Sequence, residues 1–357
     1  MVLPNYLSRL NNKYLLIYML FMSLTIFIYA SFVNSPHNFL SFVLSSQTTV
    51  TPTTTTTTLS SSTSTSPSTS RTPTCTPFTI PDSRPFFEQE HSQVNLLPKL
   101  SNSSYEQVVQ QLRSLRLIVV GCARNVEANI DKYRTHVDQI VDLFHPSSRV
   151  LIFESDSTDN TLAKLQNWTR AEVFAQGNLV PQIASRTDRL ALCRNTLLTK
   201  AYNYTPDYIL ATDVDMFSTT VSSFLSNFYY NRDDWSVMTA SVTGGYYDIW
   251  ALRTLSDNVM NYDVWHRIWH LQNIQGKYCN HNFVDLIIGT HQKHIPVERD
   301  LIEVRSAFGG AGLYKVNSTY GCRYDGSRTT CEHVPFHLCM REKNRARIFI
   351  NPRFLLR

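Results

Sequence analysis

Three short apolar runs, each closed by a polar cluster, set the strongest limit on what this chain can fold into. Residues 117–120 read Leu-Ile-Val-Val before Gly121, residues 149–153 read Arg-Val-Leu-Ile-Phe, and residues 208–212 read Tyr-Ile-Leu-Ala-Thr. Each is short, rich in β-branched or aliphatic residues and apolar on both faces, the pattern of a strand buried from two sides. The stretches around them have helical spacing, and helices are predicted over 105–115, 126–143, 161–168 and 186–202. In the first of these, Val108, Val109, Leu112 and Leu115 can share one face. Strands alternating with helices imply an α/β domain with a mostly parallel central sheet, expected over residues 105–357. No internal repeat is visible.

Ligands of open α/β sheets bind beyond the carboxyl ends of the strands. Polar clusters stand at that position three times: Cys122-Ala123-Arg124-Asn125, the acidic turn from Glu154 through Asp156 and Asp159 to Asn160, and Asp213-Val214-Asp215. One such cluster is an ordinary loop. Three meeting on one edge predict a site.

Asp213 and Asp215, one residue apart at a strand end, can bring a hard cation such as Mg²⁺ or Mn²⁺ against a diphosphate, with phosphate oxygens and water completing the shell. The rival reading is a solvated turn. Glu154 and Asp156 can accept hydrogen bonds from a ribose or a base, or belong to the turn itself, while Asp159 is placed to cap the next helix. Arg186, Arg189 and Arg194 fall about one turn apart on a predicted helix, giving a basic face for a diphosphate or simply a solvated surface. Phe308-Gly309-Gly310-Ala311-Gly312 allows close backbone approach. Gly309 and Gly310, with Tyr247 and Asp248, are the residues expected at an acceptor.

The segment from Cys331 to His337 combines a carboxylate with two histidines. His333 and His337 are candidate further metal ligands, and Glu332 is a candidate general base. The rival is a structural turn. The zinc-protease pattern is excluded, because the pair of histidines lacks the intervening Glu and Pro335 interrupts the helix it needs.

Residues 14–33 are 20 residues without a charge. At ~1.5 Å per residue they match the ~30 Å hydrocarbon core of a bilayer. Arg9 and Lys13 precede the run, and no Lys or Arg follows until Arg71. The expectation is a retained signal-anchor of type II, with residues 1–13 cytosolic and the remainder lumenal; a signal peptide cut near Ala30 is the alternative. Residues 34–104 are expected to form a stem. Residues 47–77 are almost entirely Thr, Ser and Pro, which cannot bury enough apolar area to offset ordering entropy and which suit O-glycosylation. Asn102, Asn167, Asn203 and Asn317 each begin an N-glycosylation sequon, the third weakened by Pro206. Lumenal cysteines can pair, and Cys322 with Cys331 brackets a polar segment suited to a disulfide-closed hairpin. The seven cysteines form no CxxC pair, and a net charge of +5 without a Lys/Arg block gives no case for nucleic acid.

The ordered set of motifs resembles the GT-A class of nucleotide-sugar glycosyltransferases and, more narrowly, is similar to the fungal capsule-associated (cryptococcal-type) mannosyltransferase family. The motifs are Ala123-Arg124-Asn125 with Glu127 and Asn129, the segment from Phe153 to Thr161, the segment from Arg186 to Asn195, Asp213-Val214-Asp215 and Phe308-Gly309-Gly310. The resemblance spans about residues 117–350 and implies a Golgi membrane enzyme that uses a GDP-sugar with Mn²⁺ or Mg²⁺ and modifies a glycan or glycoprotein. It implies Asp213 and Asp215 at the metal, Glu154 and Arg124 near the nucleotide, and Arg189 and Arg194 near the diphosphate; Asn125, Asp156 and Arg186 are further residues expected at the donor. A UDP-sugar donor and a non-catalytic stalked lectin or receptor are the rival readings.

Overall fold

The computed structural model describes residues 75–89, 96–274, 278, 282–327 and 330–357. The chain divides into two compact units, Met1–Ser70 and Arg71–Arg357, and the described residues belong to the second. The expected cytosolic tail, the expected span over 14–33 and most of the expected stem lie outside the described residues. Among the described residues no helix is long and apolar enough to cross a membrane.

The predicted strands form as β1 (Leu117–Ala123), β2 (Arg149–Glu154) and β4 (Tyr208–Asp213), with β3 (Ala171–Ala175) beside β2. Further along the chain come β5 (Val237–Val242), β6 (Arg253–Thr254), β7 (Ile302–Ser306), β8 (Ala311–Lys315) and β9 (Ile348–Leu356). They make one sheet in the order β3-β2-β1-β4-β8-β5-β9-β7-β6. The first four strands run parallel, but β8 is antiparallel to both its neighbours, and β7 is antiparallel to both β9 and β6. The expected mostly parallel sheet is therefore a mixed one. The glycine-rich run before Leu313 carries little strand signal, which hides the reversal at β8 from the sequence.

Both faces of the sheet are covered. Along β1, Ile118 and Val120 enter one core while Leu117 and Val119 enter the other, the two-residue alternation of a strand. Each such side chain contributes about 1.5–3 kcal/mol on full burial. The first core takes its helical partners from α5 (Arg186–Tyr202) and α8 (His333–Asn344); the second takes them from α3 (Ile130–Val141) and α6 (Val221–Leu225). α1 (Phe86–Gln89), α2 (Asn102–Gln111), α4 (Thr161–Gln166) and α7 (Val264–Asn273) complete the helices used below.

The helix over 186–202 has the predicted bounds. Ser185 accepts the Asp188 amide as its N-cap, and Asp188 and Lys200 sit at the ends that suit their charges. α3 is shorter than the predicted 126–143: residues 126–129 form a turn closed by the Asn129 amide on the Val126 carbonyl (2.9 Å), and Thr161 Oγ1 and Asp159 Oδ2 accept the Val126 and Glu127 amides from the neighbouring loop. Asp159 also accepts the Thr161 amide at 3.0 Å, so its capping role is present.

Two further expectations change. Part of the segment assigned to the stem packs on the body: Phe86 is fully buried with its ring 5.6 Å from Tyr246, and Arg299 donates to the Phe87 carbonyl. Two adjacent phenylalanines in a polar stretch vanish in a composition average, yet they suffice to seat α1. The disulfide is Cys322–Cys339, not Cys322 to Cys331; Cys122–Cys193 forms a second, and Cys331 is a buried free thiol. α8 starts just after Cys331 and turns its thiol inward beside Glu332.

Candidate active site at the carboxyl edge of the sheet

The register aligns the ends of three strands. Cys122 of β1 pairs with Phe153 of β2 on one side and Asp213 of β4 on the other. At the end of β4 the Asp213 amide donates to Gly310 O (2.9 Å), and the Asp213 carbonyl accepts from Met216 and Phe217. The chain thus turns tightly through Asp213-Val214-Asp215. Val214 is buried in the core, while Asp213 keeps partial exposure and Asp215 is exposed. Asn129 Nδ2 donates to Asp215 O at 3.1 Å and holds the turn from outside.

Arg194, from α5, is the charged centre of the recess. It is 6% exposed, and its Nη2 lies 3.0 Å from Asp213 Oδ1 while its Nε lies 2.9 Å from Glu332 Oε1. Its guanidinium rests 4.9 Å from the Phe308 ring centre. Burial opposes its charge, but Glu332 and Asp213 outweigh burial and hold it a cation. Burial raises the Asp213 carboxyl above the usual carboxylate range; Arg194 opposes this, and repulsion from Asp215 and Asp248 adds to it. That side chain is still 31% exposed, so solvent screens part of the effect.

The glycine loop closes the other side. Gly309 and Gly310 have φ of +64° and +87°, and a Cβ on Gly309 would stand 2.3 Å from the Ala240 carbonyl oxygen. Asp248 accepts the Gly309 amide (3.0 Å) and the Ala251 amide (3.3 Å), which ties the loop to the segment after β5. The Tyr247 hydroxyl is buried with no hydrogen-bond partner among the described residues and would lie 2.9 Å from a Cβ on Gly310. Burial and the nearby Asp213, Asp248 and Asp215 push its ionisation well up, so it remains a proton donor. Gly309, Gly310, Tyr247 and Asp248 therefore do meet, against the Asp213 turn.

The other expected donor residues brace the loops. Asn125, at φ +50°, accepts the Thr158 amide at 2.7 Å; Glu154, nearly buried, accepts the Ser157 amide at 3.2 Å. Asp156, at φ +60°, accepts the amides of Leu179 (2.7 Å) and Val180 (2.9 Å) with one oxygen. Arg189 donates to the carbonyls of Ile183 and Ala184 and faces Asp156 at 3.9 Å. These contacts give the groups expected to meet a nucleotide or diphosphate a part in loop geometry, and they use one oxygen of each carboxylate: Asp156 Oδ2 is buried without a hydrogen bond among the described residues. Arg124 and Arg186 are exposed and close enough to act on the charge of Arg189.

The histidines are corrected more sharply. His337 is fully buried, with Nδ1 2.9 Å from Ser306 Oγ and Nε2 2.8 Å from the Tyr314 hydroxyl, so both ring nitrogens are engaged and neither can take a metal. His333 stacks on Phe308 at 3.8 Å, nearly sealed from solvent, and burial keeps it neutral. Glu332 is also nearly buried with Oε1 held by Arg194, so little of it is open to the acceptor hydroxyl that a general base must reach. Its place is that of a positioning group for Arg194. Tyr324, which packs over Arg194 at 5.9 Å and is pinned through both its backbone groups by Asn195, had no sequence motif to mark it.

Among the described residues, no group of three or more His, Cys, Asp or Glu is placed to hold a metal. The residues present suit only an ion that borrows ligands. Arg194 takes Asp213 Oδ1, which leaves Oδ2 and the exposed Asp215 carboxylate as hard oxygen donors. Carboxylates crowded together without enough countercharge are the setting that a divalent cation relieves, and a diphosphate with water can complete its shell.

No family model matches this sequence, and no curated protein does. Solved structures are similar in fold. A mannosyltransferase from Pyrobaculum calidifontis in complex with GDP-Man and Mn²⁺ shares 14% identity, with 68% of this chain and 56% of that chain covered and a TM-score of 0.38. S. aureus TarS 1-349 shares 13%, covering 66% and 58% at a TM-score of 0.38. The glucosyl-3-phosphoglycerate synthase from Mycobacterium tuberculosis, solved with Mn²⁺, UDP and glucosyl-3-phosphoglycerate, shares 13%, covering 72% and 73% at 0.37. This chain thus spans a little over half the length of the first two. At such identities and TM-scores the likeness transfers no residue role and no activity to this chain.

Proposed function

We propose that this chain is a metal-dependent glycosyltransferase that moves a sugar, best read as mannose from GDP-mannose, onto a glycan or glycoprotein acceptor in the Golgi lumen. The observation that carries the reading is the Asp213-Val214-Asp215 turn at the carboxyl end of β4, with Val214 anchored in the core and Arg194 holding one Asp213 oxygen. Asp213 Oδ2 and Asp215 would hold Mn²⁺ or Mg²⁺. When bound, the ion supplies charge neutralisation for a departing nucleoside diphosphate. Arg124 and Arg186 draw the anionic donor to this edge. Gly309 and Gly310 bring backbone close to the acceptor, and the Tyr247 hydroxyl supplies a donor that no group among the described residues uses. The choice of mannose and GDP rests on the sequence resemblance, and the Golgi placement on the uncharged run at 14–33.

The test is a panel of GDP- and UDP-sugars offered to the purified full chain with and without Mn²⁺. Release of GDP from GDP-mannose is expected, dependent on the ion. Asp215→Ala is expected to lower kcat by about 10²-fold or more, the scale for losing a group that stabilises developing charge. Turnover of a UDP-sugar instead would replace the donor. Binding of sugars with no turnover of any donor would sink the enzyme reading in favour of a stalked lectin.

A further inference from the structure

Three sequons converge on one edge of the sheet. Asn167 closes α4, four residues ahead of β3; Asn203 closes α5, five residues ahead of β4. Asn317 lies two residues after β8, whose last residue, Lys315, pairs with Tyr208 at the start of β4. All three therefore stand at the amino edge of the parallel strands. β4 runs from Tyr208 at this edge to Asp213 at the other, about 17 Å at the usual rise per residue.

Each of the three asparagines is exposed, and among the described residues none of their carboxamides makes a side-chain hydrogen bond. The contrast is with Asn125, Asn195 and Asn351, whose amides are built into loops and core. A bulky glycan is tolerated only where the carboxamide is free and nothing packs over it. At Asn317 the order of events also follows. Thr319 of that sequon is 1% exposed, with Oγ1 held by the Tyr202 hydroxyl and the Val316 carbonyl. A transferase that must read this hydroxyl can do so only before the segment folds.

We propose that Asn167 and Asn317 carry N-linked oligosaccharides, with Asn203 modified to a lesser degree because Pro206 follows its sequon, and that this glycan-bearing edge faces away from the Asp213 recess. The step joins each Asn Nδ2 to the anomeric carbon of an oligosaccharide carried on a lipid diphosphate. The bond from that carbon to the diphosphate oxygen breaks, the lipid diphosphate leaves, and one amide proton passes to a base of the modifying enzyme. The inference rests on the lumenal placement proposed above.

The test translates the full chain in the presence of sealed microsomes. Protease protection reports lumenal placement, and a mobility shift reversed by an asparagine-glycan amidase reports the glycans. Peptide masses then show Asp in place of Asn at each released site. The expected result is a protected chain whose shift falls by one step in Asn167→Gln and by one step in Asn317→Gln. A protected chain with unmodified Asn167 and Asn317 overturns the inference and leaves the lumenal reading standing. An unprotected, unshifted chain overturns both.

Discussion

At the scale of single residues the site is organised by Arg194, which holds carboxylates from two distant parts of the chain. Arg194→Met leaves Glu332 buried without its countercharge, and breaking a buried pair from one side costs about 3–5 kcal/mol. The expected outcome is a lower denaturation midpoint, partly restored in the double variant with Glu332→Gln. A double variant no more stable than Arg194→Met would show that the pair is not coupled. Gly309→Ala meets two penalties: a left-handed backbone, about 1–2 kcal/mol for a residue with a Cβ, and a collision with the Ala240 carbonyl. Chemical denaturation should show a loss larger than that strain alone, because the loop is pinned by Asp248 and cannot drift away. Residue types at this scale were readable in part. Asp213 and Asp215 stood out because a buried strand delivered them, whereas the occupied state of His337, Asp156 and Asn125 depends on partners 20 or more residues away.

At the scale of elements, α5 is joined to the sheet edge twice, to β1 by the Cys122–Cys193 disulfide and to β4 by the Arg194–Asp213 ion pair. Cys193 and Arg194 are neighbours on the helix, and Cys122 and Asp213 are paired across adjacent strands. The disulfide and the ion pair thus clamp one helix turn to one point of the sheet edge. A bridge spanning 71 residues removes denatured-chain entropy worth up to about 4 kcal/mol. Cys122→Ser with Cys193→Ser is expected to lose stability of that order, read by denaturation under non-reducing conditions. An unchanged midpoint would mean that packing alone seats α5. The helix itself was legible down to its bounds, since Ser185 and Asp188 announce its start. The shortening of α3 was not, since the turn over residues 126–129 is held from the neighbouring loop by Thr161 and Asp159.

For the molecule as a whole, the pattern of buried histidines sets a pH response. Burial lowers His291 from 6.5 to about 4 and His337 to about 3, and it lowers His333 as well. The unfolded chain binds these protons near 6.5 and the folded chain only well below. The stability they contribute is therefore complete above about pH 6.5 and is lost as pH falls toward 4. The shift at His291 alone corresponds to about 3 kcal/mol. Denaturation midpoints should fall between pH 7 and 5, and His291→Phe should flatten the slope. A flat profile in the unaltered protein would contradict the burial of these rings.

What the sequence by itself determined is the periodic content: three apolar runs became strands, the intervening patterns became helices, and the aspartate pair reached a strand end because strand length and chain direction place it there. These are local properties, decided by side-chain pattern over a few residues. What only the tertiary structure decided is the mixed direction of the sheet, the Cys322–Cys339 pairing, the seating of α1 and the sealing of Glu332, His333 and His337 behind Arg194. Each depends on which distant segments meet, and a hydrogen bond or ion pair between residues more than 100 positions apart leaves no periodic trace in the chain. The same limit explains why the sequons at Asn167, Asn203 and Asn317 read as scattered in sequence but gather on one edge once the strands align.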